Sequence, residues 1–457
     1  MAKIRRDFVV KLLILILHHT TGASGFASHS DSMASGKTAV VIVDPVTDWR
    51  HVLDTCNSLV GHRVIAVQMP DVALSEKFKS FQPTSEALIE QGVLHVVQMY
   101  QRDVFSTTRQ LQLIAKDENL VLKGVIPLSE VAVEVVDLIA STLDLPHNRL
   151  DLATARRDKG LMKDAVSAHG LRVAKHARVD SLKSTVDTML ELSLDYPIVL
   201  KTPSGMSTSD VFICMDEQDA TAALEAIVQS LGPDGRFETQ ALLEEYLVGT
   251  EFAVNLMAFE GRVAVTDMWV YRKTASARYQ SADVCNPDDF PELVAYALRV
   301  VRAVGIRVGA AHVELKAKKD LDGRYVDPAL IEVGARLSGG RKSEMARAAV
   351  AGWDPFAALV NSHCGLSWPD ETVSLTPRCF VRHVFLPIER TGRISSITLD
   401  TDVATLHSSA MMVKIGDRVA VTTDIVSCAG FIWLIGDKDD VDKDTEYLLD
   451  SFELAFD

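Results

Sequence analysis

Five runs between residues 157 and 340 hold the residue types that handle phosphate, metal ions and activated carbonyl groups. The first, Arg157-Asp158-Lys159, opens a helical pattern that runs from Gly160 to His169 and stops at Gly170, a residue suited to the left-handed turn after a helix. Lys159 stands at the positive end of that helix, where a polyphosphate is stabilised; the plainer alternative is a solvated first turn. In the second run, Tyr196 to Lys201, a lysine ends a buried apolar strand. That placement is costly unless the ammonium meets an anion or snorkels to water. The loop behind it is small and hydroxyl-rich, so Gly205 and Ser207 suit backbone and hydroxyl donation to phosphate oxygens.

The third run reads Glu244-Glu245-Tyr246-Leu247-Val248-Gly249-Thr250-Glu251. Extended backbone from Glu244 to Leu247 offers a C=O and an N–H to the amino group and ring nitrogen of adenine, and Glu251 offers a carboxylate to ribose hydroxyls. The fourth and fifth runs, His312-Val313-Glu314 and Ile331-Glu332-Val333-Gly334-Ala335-Arg336, alternate polar and apolar residues as strands do. Asp322-Gly323 between them is a turn signal, so the two strands pair as an antiparallel hairpin. Pro328 must bulge or break the second strand, which leaves the register open. Two glutamates brought together repel unless a cation sits between them or both face water. Magnesium is the natural cation, since it takes few protein carboxylates and fills its other sites with water and phosphate oxygens.

The ordered set resembles the ATP-grasp superfamily, and within it the carboxylate–amine ligases of the L-amino-acid (dipeptide) ligase and carnosine synthase kind. The resemblance covers residues 40 to 450 and implies an α/β (α+β ATP-grasp) fold: a Rossmann-like N-terminal domain, a central ATP-grasp domain with a mobile lid, and a β-rich C-terminal subdomain. It implies that ATP is held by Lys159, Lys201, Gly205, Ser207, Glu244, Leu247 and Glu251. Two Mg²⁺ ions, with Mn²⁺ as a substitute, are expected on Glu314 and Glu332. Arg336, in the Ile-Glu-x-x-x-Arg-x-x-Gly-Gly form that ends at Gly340, is the catalytic residue placed on the acyl phosphate or tetrahedral intermediate. Two positions depart from the pattern: the lid reads Thr208-Ser209-Asp210-Val211, and Gly334 replaces a frequent asparagine metal ligand. The implied reaction is amide formation between a carboxylate, an amino acid, and an amine, with ADP and phosphate released. A bicarbonate-activating carboxylase and a non-catalytic ATP-binding regulator share much of this pattern.

The surrounding chain must position these groups. Apolar runs at Thr38 to Val43, Arg63 to Gln68, Val93 to Val97 and Val121 to Ile126 alternate with helical stretches, predicting a parallel sheet over residues 38–150. Longer helices and hairpin-like pairs define residues 151–364. Short β runs, such as Met411 to Ile415 and Phe431 to Ile435, define residues 365–457. Tyr271-Arg272-Lys273 and Arg278 read either as cations for substrate carboxylates or as a solvated basic loop, and His312 as a packed residue or a base. Ser35-Gly36-Lys37-Thr38 ends like a P-loop but precedes a strand, whereas a P-loop follows one.

Composition narrows the class. A chain of 457 residues, 47% hydrophobic and 24% charged, is long enough for about three globular domains. Its formal net charge of -15 disfavours nucleic acid as a partner. The resemblance implies small-molecule carboxylate and amine substrates, and a homodimer is the candidate assembly. The six cysteines form no CxxC pair, which argues against zinc and suits a reducing compartment. Residues 1–28 nevertheless read as a presequence: Lys3, Arg5 and Arg6, an apolar run from Phe8 to Leu17, then small residues. The run is too short for a transmembrane span, and Ala23 to Ser28 resembles a plastid-targeting cleavage site, with a cytoplasmic enzyme as the alternative.

Overall fold

The computed structural model describes residues 37–59, 61–70, 82–205, 211–232, 237–274, 278–366 and 375–457. The presequence at 1–28, Gly36 of the P-loop-like run, and the loop residues Ser207 and Asp210 lie outside them.

Lys37–Val43 (β1), Arg63–Gln68 (β2), His95–Gln98 (β3) and Leu120–Pro127 (β4) form one parallel sheet in the order β3-β2-β1-β4. Strand β1 is apolar from Ala39 to Val43, where both its faces are covered. Val40 and Ile42 enter the core built with Trp49–Leu59 (α1), and Ala39, Val41 and Val43 enter the opposite one. That second core holds Leu111 and Ile139, which lie within the segments Val104–Asp117 and Val133–Thr142. Lys37 and Thr38 begin β1, so the last two residues of the P-loop-like run open a strand.

The helix Lys159–Ser167 leads to a second, antiparallel sheet. His176–Val179 (β5), Ile198–Lys201 (β6), Val211–Cys214 (β7) and Ala241–Glu245 (β8) are ordered β5-β8-β6-β7. One face packs Ile198, Leu200 and Leu243 against Met189, Ala220 and Leu224 from the two helices Leu182–Leu192 and Glu217–Ile227.

The largest sheet has eight strands: Thr250–Phe259 (β9), Arg262–Lys273 (β10), Tyr279–Cys285 (β11), Gly309–Lys319 (β12), Tyr325–Gly334 (β13), Phe380–Leu386 (β14), Leu406–Met411 (β16) and Gly430–Gly436 (β18). Their order is β13-β12-β9-β10-β11-β14-β18-β16, and Gly392–Thr398 (β15), Arg418–Val419 (β17) and Glu453–Phe456 (β19) form a small separate sheet. Strand β14 pairs with β11 through Ser281 and Val384, so strands on either side of residue 365 share one sheet. Met411 ends β16 instead of opening a strand to Ile415. The turn at Lys414 to Asp417, with Gly416 at φ 93°, stops extension there.

Alternation gives the eight-stranded sheet two faces. Val254, Leu256, Val313, Leu315 and Val333 enter an apolar core with Leu293, Ala297 and Val300 of the helix Pro291–Ala303. Asn255, His312, Glu314 and Glu332 take the opposite face. The register of β12 and β13 shifts between Lys316 and Lys318, beside Asp327 at φ 53° and Pro328, and again between Glu314 and Leu315, where Ile331 is the extra residue, and the strands stay paired past both shifts. Glu314 and Glu332 are thereby direct cross-strand partners.

Candidate active site

Glu314 and Glu332 face each other, and each carboxylate has a cationic or hydrogen-bonding neighbour. Glu332 pairs with Lys159 at 3.2 Å. Burial raises its carboxyl, but the charges of Lys159 and Lys201 prevail and bring it down to about 2. Glu314 accepts from Nε2 of His312 at 3.1 Å and from the Tyr271 hydroxyl at 3.4 Å. Burial raises it too, yet the His312 bond and charge leave it below the usual carboxylate range. The Tyr271 phenol is driven well above its ordinary value by burial and then by Glu314, so it stays a donor. Two ionised carboxylates held this close suit a divalent cation.

Among the described residues no group of three or more His, Cys, Asp or Glu side chains is placed to hold a metal. A carboxylate pair nevertheless fits Mg²⁺, which completes its shell with water and phosphate oxygens.

Lys201, at the end of β6, meets Glu244 at 2.9 Å, and Lys163, fully buried, meets the other oxygen of Glu244 at 2.7 Å. The ammonium of Lys201 is therefore ion-paired, not snorkelled to water. Lys163 also donates to the Ile331 carbonyl at 2.9 Å, and burial pushes it down to about 8 against the pull of Glu244. Lys163 lies four residues after Lys159, on the same helical face, and that spacing was its only sequence signal. Glu244 itself stays below the usual carboxylate range, since its two lysines outweigh burial. Its side chain thus sets the lysines, whereas the sequence suggested only its backbone as a contact.

The start of the Lys159 helix differs from expectation. Asp158 accepts from the N–H groups of Gly160 and Leu161 and itself pairs with Arg178, so the first donors of the helix are already used. The ammonium of Lys159 remains as the group that can meet phosphate. It donates to the Gly205 carbonyl, while its backbone N–H reaches Pro203 at 3.0 Å and Arg157 reaches the Ser204 carbonyl at 2.9 Å. The loop leading to the lid is therefore tied to the helix start.

Glu251 accepts from Lys273 and from the Tyr279 hydroxyl, both at 2.7 Å. Leu247 sits in a small cluster with Ala174 and Ala329, and its carbonyl accepts from Lys316 at 2.8 Å. The basic run after β9 is not a free loop: Arg272 meets Asp283 at 2.6 Å and Arg278 grips both oxygens of Glu389 at 2.9 and 3.0 Å. A cavity of about 710 Å³ lined by Arg278, Tyr279, Phe385, Glu389 and Arg390 touches this region through Tyr279 and lies away from the carboxylate pair.

Arg336 bonds Glu130 at 2.7 Å and the Leu337 carbonyl at 2.9 Å. Glu130 follows β4, in the first sheet, and also accepts from Arg157 at 3.0 Å. No local pattern marks Glu130, since its partners stand 27 and 206 residues away. His312 is a packed residue here: its Nδ1 meets the Asn255 carbonyl oxygen at 2.7 Å, and Asn255 in turn donates to Asp267 at 2.5 Å. Asp267 also accepts from Trp269 at 2.6 Å and Thr266 at 2.8 Å, a network that fixes the imidazole facing Glu314.

Residues 194–344 match the family model described as the ATP-grasp domain. Dapdiamide A synthase of Enterobacter agglomerans is 27% identical over 323 residues, spanning 68% of this chain and 69% of that protein. Carnosine synthase 1 of Gallus gallus is 35% identical over 134 residues, 27% of this chain and only 13% of that longer protein. Among solved structures, the L-amino acid ligase from Bacillus licheniformis superposes with a TM-score of 0.71 at 17% identity, covering 92% of this chain and 99% of its own, a likeness of fold.

Proposed function

On the premise that this chain carries an ATP-grasp domain, we propose that it is an ATP- and Mg²⁺-dependent ligase joining an amino-acid carboxylate to an amine through an acyl phosphate. The observation that carries this reading is the opposed pair Glu314 and Glu332, held ionised beside Lys159, Lys201 and Arg336. The similarity to two synthases, and a fold shared with an L-amino acid ligase, support an amide-forming reaction.

Each residue has a task in that reaction. Lys159 and Lys201 take phosphate oxygens of ATP in exchange for part of their contact with Glu332 and Glu244. Glu251 accepts from the ribose hydroxyls, and the backbone between Glu244 and Leu247 meets the adenine edge. Glu314 and Glu332 hold Mg²⁺, which when bound neutralises charge on the phosphates. The substrate carboxylate oxygen then bonds to the γ-phosphorus as the bond to ADP breaks. When the amine lone pair attacks the acyl carbon, Arg336 faces the charge that gathers on the carbonyl oxygen. The C–O bond to phosphate breaks, phosphate leaves with that electron pair, and the amine loses its proton to solvent. Arg336 arrives pre-aimed because Glu130 fixes its guanidinium at 2.7 Å.

The test is ADP and phosphate release from purified protein given ATP, Mg²⁺ and pools of amino acids, followed by product mass. Release that needs two amino acids, with a product lighter than their sum by one water, is expected. ATP binding with no release from any pool of acids and amines overturns the reading.

A further inference from the structure

The ligase reading puts a divalent cation on Glu314 and Glu332 without saying what chooses that cation. The way Glu314 is held bears on the choice. Its side chain is 17% exposed, and its Oε1 accepts from two donors at once, Nε2 of His312 at 3.1 Å and the Tyr271 hydroxyl at 3.4 Å. A carboxylate oxygen has about two lone-pair sites, so these donors fill it. Among the described residues no donor reaches Oε2. One oxygen of Glu314 is thus occupied by the protein, and the other is left for a ligand.

Both donors are themselves fixed. His312 turns its Nδ1 to the Asn255 side-chain oxygen at 2.7 Å, and the Asn255 amide nitrogen donates to Asp267 at 2.5 Å. Asp267 is 3% exposed and also accepts from Trp269 and Thr266. The Asn255 amide therefore cannot turn over without leaving a buried carboxylate short of a donor. Asn255 and Asp267 are partners across β9 and β10, and His312 is the partner of Asn255 on β12, so three adjacent strands set one ring. Tyr271 is buried edge-on against Tyr279, 5.3 Å between ring centres, and Tyr279 is tied to Glu251 at 2.7 Å. Neither donor can leave Oε1 without breaking a buried contact.

That arrangement tells cations apart. Mg²⁺ demands near-octahedral geometry at about 2.0–2.1 Å, which one oxygen from a carboxylate suits and the narrow bite of two does not. Ca²⁺ takes about six to eight oxygens at roughly 2.3–2.6 Å and accepts both oxygens of one carboxylate. To chelate Ca²⁺ in that way Glu314 must give up its bonds to His312 and Tyr271, leaving buried donors unpaired. We propose that His312 and Tyr271 are positioning residues that hold Glu314 as a one-oxygen ligand and so select Mg²⁺, or its substitute Mn²⁺, over Ca²⁺. The inference rests on the ligase reading for the place of the cation and adds a source of metal selectivity.

The test needs no turnover. Mn²⁺ bound to the full chain in the presence of ADP is followed by electron paramagnetic resonance, with Mg²⁺ and Ca²⁺ titrated in as competitors. Wild type is compared with Tyr271→Phe, His312→Asn and His312→Gln. A glutamine amide nitrogen falls near the place of Nε2 and an asparagine one near Nδ1, so His312→Gln keeps the donor to Glu314 and His312→Asn loses it. In wild type Mg²⁺ should displace Mn²⁺ at lower concentration than Ca²⁺ does. That preference should fall roughly tenfold in His312→Asn, the lower end of what losing an outer partner costs a metal site, and by less in Tyr271→Phe. His312→Gln should keep most of it. Equal weakening of both cations in His312→Asn, or a wild type indifferent to the two, overturns the inference, and the ligase reading is judged separately by product mass. No bound Mn²⁺ with nucleotide present overturns both the inference and the metal role of Glu314 in that reading. Thermal unfolding of each variant separates a misfolded protein from a failed prediction. Tyr271→Phe, which loses only a hydroxyl, keeps the question measurable if His312→Asn does not fold; unchanged selectivity there overturns the inference as well.

Discussion

Each cation of the site is set by an acidic partner before any substrate arrives. Lys201 and Lys163 share Glu244, Lys159 leans on Glu332, and Arg336 and Arg157 share Glu130. Such pairs fix direction more than they stabilise, since the desolvation of buried charge offsets most of the attraction. Arg336 also feels the charges of Glu332 and Glu314, and under the ligase reading it acts in the step in which negative charge grows on oxygen. Arg336→Ala should lower kcat by roughly 10²- to 10³-fold, the range seen when one oxyanion donor is removed. Nucleotide affinity, read by calorimetry, should change far less. A parallel loss of nucleotide binding would move Arg336 from the acyl carbon to the ATP phosphates.

At the scale of elements, the helix α1 of the first layer meets the segments that follow Arg336. His51 stacks on Phe356 at 4.8 Å and stands 3.5 Å from Glu344, while Arg347 lies over Phe356. Asp48, just before α1, faces this seam, and one of its oxygens is buried without a partner. Burial, then the charge of Glu344, lifts its carboxyl to about 7, against Arg341 and Arg347. Between the unfolded value of 3.8 and about 7, the folded protein keeps a proton that the unfolded chain has released. Stability from this group is therefore lost as pH rises through that window. Asp48→Asn cannot ionise and tolerates the φ of 53° at this position. Its Tm should exceed that of wild type at pH 8 and approach it at pH 5; an equal offset at both pH values would show that the carboxyl does not titrate there.

Across the whole molecule, the parallel sheet and the eight-stranded sheet are joined through buried polar groups as well as apolar cores. Arg156, fully buried, binds Asp137 at 2.6 Å and the carbonyls of Arg149 and Val304 at 2.9 and 3.0 Å. Asp137 also accepts from the Asn148 backbone at 2.9 Å, and the Asn148 side chain accepts from Arg307 and Val308 at 2.7 and 2.9 Å. The chain from Asp137 to Val308 thus leads from the first layer to the entry of β12, the strand that carries Glu314. Arg156→Met leaves a buried carboxylate and two carbonyls short of a donor, and should cost about 3–5 kcal/mol in chemical denaturation. A cost below about 1 kcal/mol would mean that water satisfies those groups.

The candidate site residues, and their order, were legible in the sequence because local physics encodes them. Alternation put Glu314 and Glu332 on polar strand faces, Asp322-Gly323 made the hairpin, and a lysine closing an apolar strand left Lys201 either to meet an anion or to snorkel to water. The apolar run that became β1, alternating with helical stretches, likewise predicted a parallel sheet. What the sequence left open depended on distance along the chain. Two register shifts, at Asp327-Pro328 and at Ile331, set the pairing, so only the folded hairpin made Glu314 and Glu332 direct partners. Glu130 carries no local signal, and it joined the site through an arginine 206 residues away. Side-chain periodicity records which way a residue faces, but burial and long-range pairing decide what it faces, and those are properties of the closed structure alone.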